Sequence, residues 1–261
     1  MEEFIKAFIL GIIQGLTEFL PISSTGHLLL GRKLLNLSEA GLFLDTMLHL
    51  GTFIAVAVVF WEDTIYMLKR PFSRLTLLVL AGTIPTAVIG LAFEDFFEEI
   101  SKTGVTVGWE FLVTGAVLWI ADNLKKKGYK SIEEINYKDA LVMGTLQGAA
   151  ILPAISRSGL TISGALFQGI EKKSAARFSF LLSLPAILGA VVLQSIKLFK
   201  GQVEAISMGS LAVGTLAAAV AGYVAVRWML AIIQRGSLKI FSIYVWILGM
   251  GILLAQFLGK F

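Results

Sequence analysis

The chain has 261 residues, of which 56% are hydrophobic and only 15% are charged. Ordinary soluble domains carry about 25% charged residues, so the composition excludes that class and indicates a protein whose solvent is lipid. The net charge of +4 does not indicate a nucleic-acid partner, because the basic residues form short clusters between apolar runs, without interleaved aromatic residues. The absence of cysteine excludes disulfides and thiolate chemistry.

The first apolar stretch, 4–35, is interrupted by a proline and by small polar residues. Glu2 and Glu3 precede it, where a signal peptide would carry basic residues, and Gln14 and Glu18 lie inside it. These features are not typical of a signal peptide. We predict that the stretch belongs to the mature protein.

Six later apolar runs are long enough to cross a bilayer, which takes about 20 residues. They are 42–60, 75–93, 107–122, 178–199, 208–229 and 241–258. A second interrupted stretch, 139–172, lies between the third and fourth runs. The sequence therefore predicts an all-α polytopic membrane protein with six spans and two broken segments.

An internal repeat relates the two interrupted stretches. At an offset of 133 residues, Gln14 falls on Gln147 (147 − 14 = 133) and Ser23 falls on Ser156 (156 − 23 = 133). Chance is the alternative, since small residues recur in any membrane helix. The matches include polar residues at one constant spacing, however, which small-residue packing does not require. We predict an ancient duplication.

The two predicted halves, 1–122 and 137–258, each contain one broken stretch and three spans, so the second half must enter the membrane inverted. Three connections are basic, and they carry Lys69, Arg70 and Arg74; Lys125, Lys126, Lys127, Lys130 and Lys138; and Arg235 and Lys239. An intervening connection carries Glu94, Asp95, Glu98 and Glu99. By the positive-inside rule the basic connections are cytoplasmic. The acidic connection and both termini are then external.

The breaks are the unusual parts of the chain. In hydrocarbon every backbone polar group needs a partner, so a non-helical break is tolerated only inside protein or beside a wet cavity. Inverted repeats bring such breaks together near the bilayer midplane and build binding sites from them. The helix that starts after each break presents free N–H groups and a positive dipole end, which suit a phosphate. We therefore predict two re-entrant segments and an anion site where they meet.

Positions that differ between the two copies are the candidates for chemistry, since matching positions serve the shared backbone. The differing pairs are Glu18 and Ile151, Ser24 and Arg157, and His27 and Leu160. One copy thus supplies a carboxylate and an imidazole, and the other supplies a guanidinium. Nearby hydroxyls complete a mixed-charge pocket, and they belong to Ser23, Thr25, Ser156, Ser158 and Thr161.

Each charged candidate also has a structural interpretation. Arg157 can hold phosphate oxygens with its planar fork, or it can be a loop arginine that snorkels to the interface. His27 could instead donate to a backbone carbonyl, and Glu18 could close hydrogen bonds between the repeats. Asp45 and His49 lie four residues apart and share a helical face. They either support the cavity or pack helices together.

Three features are long and specific enough to identify a family. They are Gln14 with Glu18, the run FLPISSTGH at 19–27, and the run PAISRSG at 153–159. With these features the chain resembles, over essentially its whole length, the undecaprenyl-diphosphate phosphatases associated with bacitracin resistance. Two positions depart from the family pattern: Gln14 stands where Glu is frequent, and Ala154 stands where Gly is usual. The first departure removes one candidate metal ligand.

The resemblance implies removal of the terminal phosphate of undecaprenyl diphosphate, on the outer side of the bacterial cell membrane. The product is the lipid carrier for peptidoglycan synthesis, and its recycling confers bacitracin resistance. Ser24 is expected to attack phosphorus while Glu18 or His27 accepts its proton and Arg157 holds the phosphates; His27 as nucleophile is the alternative. The residues expected to bind the diphosphate are Gln14, Ser23, Thr25, Gly26, Gln147, Ser156, Ser158, Gly159 and Thr161.

These residues do not by themselves determine the cofactor or the oligomeric state. The sequence leaves open whether a divalent cation, Mg²⁺ or Ca²⁺, takes part, with Glu18 as its candidate ligand. A homodimer is the candidate assembly, and the lipid bilayer and a polyprenyl diphosphate are the expected partners.

The sequence leaves one rival function open and excludes another. A transporter or flippase for an anionic lipid is the alternative function, because inverted repeats with broken helices are also a transporter architecture. The other common class of membrane lipid phosphatase requires a histidine downstream of its Ser-Arg element. Here the two histidines of the chain, His27 and His49, both precede Arg157, so that class is excluded.

Overall fold

The computed structural model describes residues 1–35, 37, 42–124, 128–199 and 207–259. The predicted cytoplasmic lysines at 125–127 lie outside these ranges. The helices of the first part of the chain are α1 (Glu2–Phe19), α2 (Ser24–Leu34), α3 (Leu42–Val59), α4 (Trp61–Lys69), α5 (Arg74–Ala92), α6 (Glu94–Thr103) and α7 (Val107–Asp122). Those of the second part are α8 (Tyr137–Ala149), α9 (Arg157–Phe167), α10 (Lys172–Phe199), α11 (Met208–Arg235) and α12 (Lys239–Phe257). The predicted all-α fold is confirmed.

The six predicted spans are all helical, but they do not all meet the same length criterion. Four helices, α5, α10, α11 and α12, are long and apolar enough to cross a bilayer. Helix α3 qualifies only together with α4, which leaves it at 90°. Helix α7 has 16 residues, which is shorter than the others. The chain is a multi-pass membrane protein, and its described residues contain four such spans, or five if α3 and α4 are counted together.

The surface of the long helices fits a lipid environment. On α5, Leu80, Ile84 and Val88 lie four residues apart, and all three side chains are exposed. A stripe of large apolar side chains on the outside of a helix is expected where the neighbour is hydrocarbon. The short helices α4 and α6 were not among the predicted elements.

Both interrupted stretches form a helix, a break and a second helix, as predicted. Residues 20–23 separate α1 from α2, and residues 150–156 separate α8 from α9. Within each stretch the two helices pack against each other. The stretches also pack against the long helices, α1 on α11 and α8 on α5.

Two close backbone contacts have matching positions in the two parts of the chain. A Cβ atom on Gly11 of α1 would lie 2.3 Å from the backbone oxygen of Gly214, and one on Gly144 of α8 would lie 1.7 Å from that of Gly82. Gly144 follows Gly11 by 133 residues (144 − 11), and Gly214 follows Gly82 by 132 (214 − 82). Small residues allow such close helix approach in membranes. The contacts agree with a duplication, while the halves 1–122 and 137–258 and their inverted topology stay a prediction.

Candidate functional site

The first break follows from the proline in it. Leu20 is extended (φ −71°, ψ 142°), because the residue before a proline is disfavoured in the α conformation. Ser23 then has φ 66°, and it is the one non-glycine residue with positive φ in the described ranges. Its Oγ accepts a hydrogen bond from the Gly26 backbone N–H (3.3 Å) and so caps α2. A strained residue of this kind persists only where its surroundings hold it.

The second break has the same cap without the strain. Ser156 has φ −74°, and its Oγ accepts from the Gly159 N–H at 3.0 Å. Helix α7 supplies acceptors for two further N–H groups of this break: Glu110 accepts from the Ala154 N–H at 2.6 Å, and Thr114 accepts from the Ser156 N–H at 3.1 Å. Sequence reasoning missed Glu110 and Thr114. Their signal was a carboxylate and a hydroxyl four residues apart in an apolar run.

Direct hydrogen bonds join the two breaks. Ser23 Oγ donates to the Pro153 carbonyl (2.7 Å), and Ser158 Oγ donates to the Leu20 carbonyl (3.2 Å). Gly26 lies so close to this junction that an added Cβ would be 2.6 Å from the Phe111 ring. The starts of α2 and α9 are therefore held side by side in the protein interior.

Glu18 lies at the centre of this junction, with a side chain that is only 5% exposed. Its Oε2 accepts from Gln14 Nε2 at 2.9 Å and from Ser24 Oγ at 2.5 Å. Its Oε1 accepts from Arg157 Nη2 at 2.5 Å. His49 Nε2 lies 3.6 Å from Glu18 Oε2. The structure thus brings a carboxylate and a hydroxyl of the first stretch against the guanidinium of the second.

Two polar atoms at this centre have no hydrogen-bond partner among the described residues. They are Arg157 Nη1 and Gln14 Oε1, and both are buried. Buried polar groups in proteins are nearly always hydrogen-bonded. A free guanidinium N–H beside two helix N-termini is the arrangement that an anionic oxygen would complete.

His27 lies in the first turn of α2, and its hydrogen-bond partners are groups other than Glu18 and Ser24. Its Nδ1 is 2.6 Å from the Ser23 carbonyl oxygen, and its Nε2 is 2.8 Å from the hydroxyl of Tyr244 on α12. The hydroxyl of Ser24 is instead bonded to Glu18. Of the two proton acceptors expected for Ser24, the structure places Glu18 in contact with it. Sequence reasoning missed Tyr244, whose only signal was a phenol in an apolar run.

The side chains of Asp45 and His49 contact different parts of the protein. His49 Nδ1 bonds to the Asp45 backbone carbonyl (2.7 Å), and its Nε2 faces Glu18. The Asp45 carboxylate forms an ion pair with Arg32 of α2. His49 therefore reaches the site, whereas Asp45 fastens α3 to α2.

The remaining candidates have partners within the protein or lie at the start of α2. Gln147 Nε2 bonds to Thr86 Oγ1 (3.2 Å) and joins α8 to α5. Thr161 Oγ1 bonds to the Arg157 carbonyl (2.8 Å) and to Ser179 Oγ (2.6 Å). Thr25 lies in the first turn of α2 and is half-buried. Their binding roles stay predictions.

A divalent cation would find few protein ligands here. In the described ranges no three His, Asp or Glu side chains converge on one point. Glu18 is the carboxylate that contacts both stretches, and both its oxygens accept hydrogen bonds. The carboxylate of Glu110 on α7 is bonded to the Ala154 N–H of the second break and to Thr106. Mg²⁺ is often bound by one or two carboxylates together with substrate phosphates. Glu18 with diphosphate oxygens is the only such set that these residues offer.

Comparison with known proteins covers nearly the whole chain. The family model described as "Bacitracin resistance protein BacA" matches residues 7–251. A Bacillus cereus protein named undecaprenyl-diphosphatase 3 is 60% identical over 258 residues, which is 99% of each chain. Proteins named undecaprenyl-diphosphatase from Carboxydothermus hydrogenoformans and Halothermothrix orenii are 51% and 44% identical, over 98% and 97% of this chain and 98% of each relative. Both breaks lie within the matched region.

Proposed function

The chain belongs to the bacitracin resistance protein BacA family, and from this premise we infer that it hydrolyses undecaprenyl diphosphate to undecaprenyl phosphate and inorganic phosphate. The reaction recycles the lipid carrier of peptidoglycan synthesis and so supports bacitracin resistance. The family expected from the two sequence motifs is confirmed. A transporter or flippase is not favoured, because the relatives carry the name of a hydrolase.

One observation carries the assignment of the site: Glu18 contacts both Ser24 and Arg157 across the two breaks. A serine hydroxyl is a weak nucleophile unless a base lies beside it. Glu18 Oε2 is that base, since it already accepts the Ser24 hydroxyl. Attack forms a bond from Ser24 Oγ to the terminal phosphorus, the proton passes to Glu18, and the bond to the bridging oxygen breaks. Undecaprenyl phosphate leaves, and water then hydrolyses the phosphoserine.

Arg157 has the position to stabilise the transferring phosphoryl group. Its Nη2 stays on Glu18 while Nη1, which has no partner in the described part of the protein, is available to a phosphate oxygen. The N-termini of α2 and α9 add backbone N–H donors. Phosphoryl transfer is catalysed chiefly by such fixed positive groups. Ser156 and Ser158 complete the proposed diphosphate site from the second break.

Location, cofactor and assembly belong to the same proposal. We place the protein in the bacterial cell membrane with the pocket open to the outer side, by analogy with the family, and the distribution of basic connections agrees with this orientation. A divalent cation bound by Glu18 and the diphosphate would offset negative charge on the leaving phosphate. Adding a chelator, and then Mg²⁺ or Ca²⁺, to the hydrolysis assay tests this requirement. A homodimer stays a prediction, which the mass of the purified protein in detergent tests.

Hydrolysis by the purified protein in detergent tests the function and the site together. We expect phosphate release from undecaprenyl diphosphate, and its loss in Arg157→Ala and in Glu18→Ala. The matched control is Arg227→Ala, because Arg227 is an exposed arginine of α11 bonded to Tyr223 (2.9 Å). Full turnover by the Arg157 and Glu18 variants would show that the site is elsewhere. No turnover by the unmodified protein would contradict the function.

Trapping a phosphoenzyme distinguishes the two candidate nucleophiles. The proposal expects an acid-stable phosphoserine at Ser24 after rapid quenching with labelled substrate. An acid-labile phosphohistidine at His27 would support the alternative nucleophile. A label on neither residue would favour direct attack by water.

A further inference from the structure

The two ring nitrogens of His27 have different partners, and this fixes the tautomer. A carbonyl oxygen can only accept, so Nδ1, which lies 2.6 Å from the Ser23 carbonyl, carries a proton. In the neutral ring Nε2 then has a lone pair, and at 2.8 Å it accepts the hydroxyl of Tyr244. Nε2 is therefore the one nitrogen that can take up or deliver a proton while the contact with Ser23 persists. Tyr244 lies directly on it.

Ring packing reinforces this hydrogen bond. The rings of His27 and Tyr244 stack, with centroids 5.7 Å apart and planes 11° from parallel. Phe111 of α7 meets the His27 ring edge-on, at 5.6 Å and 86°. The imidazole is thus held by one ring on its face and another at its edge, so its orientation is set by α7 and α12 as well as by its own helix.

The segment of α12 that carries Tyr244 is anchored on both sides. Two residues before it, Ser242 Oγ donates to the Gly115 carbonyl at 2.5 Å. Two residues after it, Trp246 Nε1 donates to the Leu112 carbonyl at 3.0 Å. Both acceptors belong to α7. These two bonds fix the position of Tyr244 relative to α7, and a positioning group must be held in this way.

The hydroxyl of Tyr244 is not required for packing. The residue is 44% exposed, so a phenylalanine ring would pack in the same place. The oxygen is used by Nε2 of His27. A phenylalanine here would keep the stacking and lose only the hydrogen bond, which separates the two contributions experimentally.

We propose that Tyr244 is a positioning residue of the hydrolytic site: its hydroxyl occupies Nε2 of His27 and so keeps the ring proton on Nδ1, which donates to the Ser23 carbonyl next to the proposed nucleophile Ser24. The inference rests on the proposed function, in which Ser24 attacks phosphorus and Glu18 is its base, and it gives His27 a role in holding the backbone that precedes Ser24. The hydrogen bond from the Tyr244 hydroxyl fixes the tautomer, and the stacked ring keeps the imidazole in this orientation. Tyr244 thereby makes α12, at the far end of the chain, a part of the site.

The test is a double-mutant cycle on hydrolysis of undecaprenyl diphosphate. Tyr244→Phe should lower kcat roughly three- to tenfold, the effect of one hydrogen bond, with KM within about twofold because the tyrosine does not hold substrate. Tyr244→Ala, which also loses the ring, should lower kcat further. In a His27→Ala background, Tyr244→Phe should have no further effect, since the tyrosine acts through that ring.

Tyr223→Phe is the matched control, because this exposed tyrosine of α11 bonds to Arg227 and not to His27; it should leave kcat unchanged. Unchanged kcat in Tyr244→Phe, together with impaired His27→Ala, would overturn the inference and leave the proposed function intact. A Tyr244→Phe loss that is equally large in the His27→Ala background would also overturn it. Full turnover by His27→Ala would overturn the inference, because Tyr244 would then have no functional side chain to position, and it would leave attack by Ser24 intact.

Discussion

The two breaks have the same cap and carry opposite chemistry. In each, a serine Oγ accepts the N–H three residues later, at 3.3 Å for Ser23 and 3.0 Å for Ser156. The next residue is Ser24 in the first break and Arg157 in the second. Those two residues meet on the same carboxylate, Glu18. The matching serines therefore cap the two helices, and the residues that differ, Ser24 and Arg157, are those proposed to take part in the reaction.

Strain also distinguishes the breaks. Ser23 has φ 66° whereas Ser156 has φ −74°. Ser156 receives support from α7 through Thr114, while Ser23 is fastened to the other break through the Pro153 carbonyl. Strain of about 1–3 kcal/mol of this kind is found where a site needs an unusual geometry. The strained break is the one that supplies the proposed nucleophile.

The largest expected effect is loss of the nucleophile from the first break. Ser24→Ala should lower turnover by about 10⁴-fold or more, because it removes the hydroxyl that is proposed to attack phosphorus. Phosphate release by purified protein measures it. The control is Thr145→Ala on α8, whose hydroxyl bonds only to its own helix, at the Leu141 carbonyl. If Ser24→Ala kept its turnover within tenfold of the parent, the first break would not supply the nucleophile.

The next effect concerns the fork of the arginine in the second break. Arg157→Lys keeps the charge but cannot hold Glu18 and a phosphate oxygen with two nitrogens, so turnover should fall by about 10²- to 10³-fold. Arg227→Lys on the exposed face of α11 is the control and should retain activity. Near-normal turnover of Arg157→Lys would show that a point charge suffices there.

A stability effect should be shared by the two copies. Gly11→Ala and Gly144→Ala each press a methyl group on the backbone of a neighbouring helix and should lower the free energy of unfolding in detergent by about 1–3 kcal/mol. Gly189→Ala has nothing within 4 Å of its Cβ position and should raise it by about 0.4–1 kcal/mol. If Gly11→Ala were neutral and Gly144→Ala destabilising, the proposed equivalence of α1 and α8 would be contradicted.

The smallest effect tests the strain itself. Ser23→Gly and Ser156→Gly both remove the capping hydroxyl, which costs a few tenths of a kcal/mol. At Ser23 the substitution relieves a positive φ but also removes the hydrogen bond to the Pro153 carbonyl, so Ser23→Ala, which loses the same hydroxyl and keeps the strain, is the proper comparison. Ser23→Ala should destabilise the protein more than Ser23→Gly, and this difference should be about 1 kcal/mol larger than the difference between Ser156→Ala and Ser156→Gly. Thermal unfolding followed by tryptophan fluorescence measures the difference, and the reverse order would contradict a strained first break.

The sequence by itself determined the membrane class, the positions of both breaks and the family. These properties depend on local features: long apolar runs, prolines that end helices, and serines three residues before a small residue. The polar identities of Glu18, Ser24 and Arg157 were also visible, because polar residues are rare in such runs. The 90° turn from α3 to α4 was not visible, since no proline or glycine marks it.

Only the tertiary structure decided which polar groups meet. Arg157 and Glu18 are 139 residues apart in the chain, and Tyr244 and His27 are 217 apart. Periodicity describes which residues share the face of one helix, but it cannot pair faces of different helices. The sequence therefore left the acceptor for Ser24 open between Glu18 and His27. The packing of α12 on α7 directs His27 towards Tyr244 and leaves Glu18 as the group that touches Ser24.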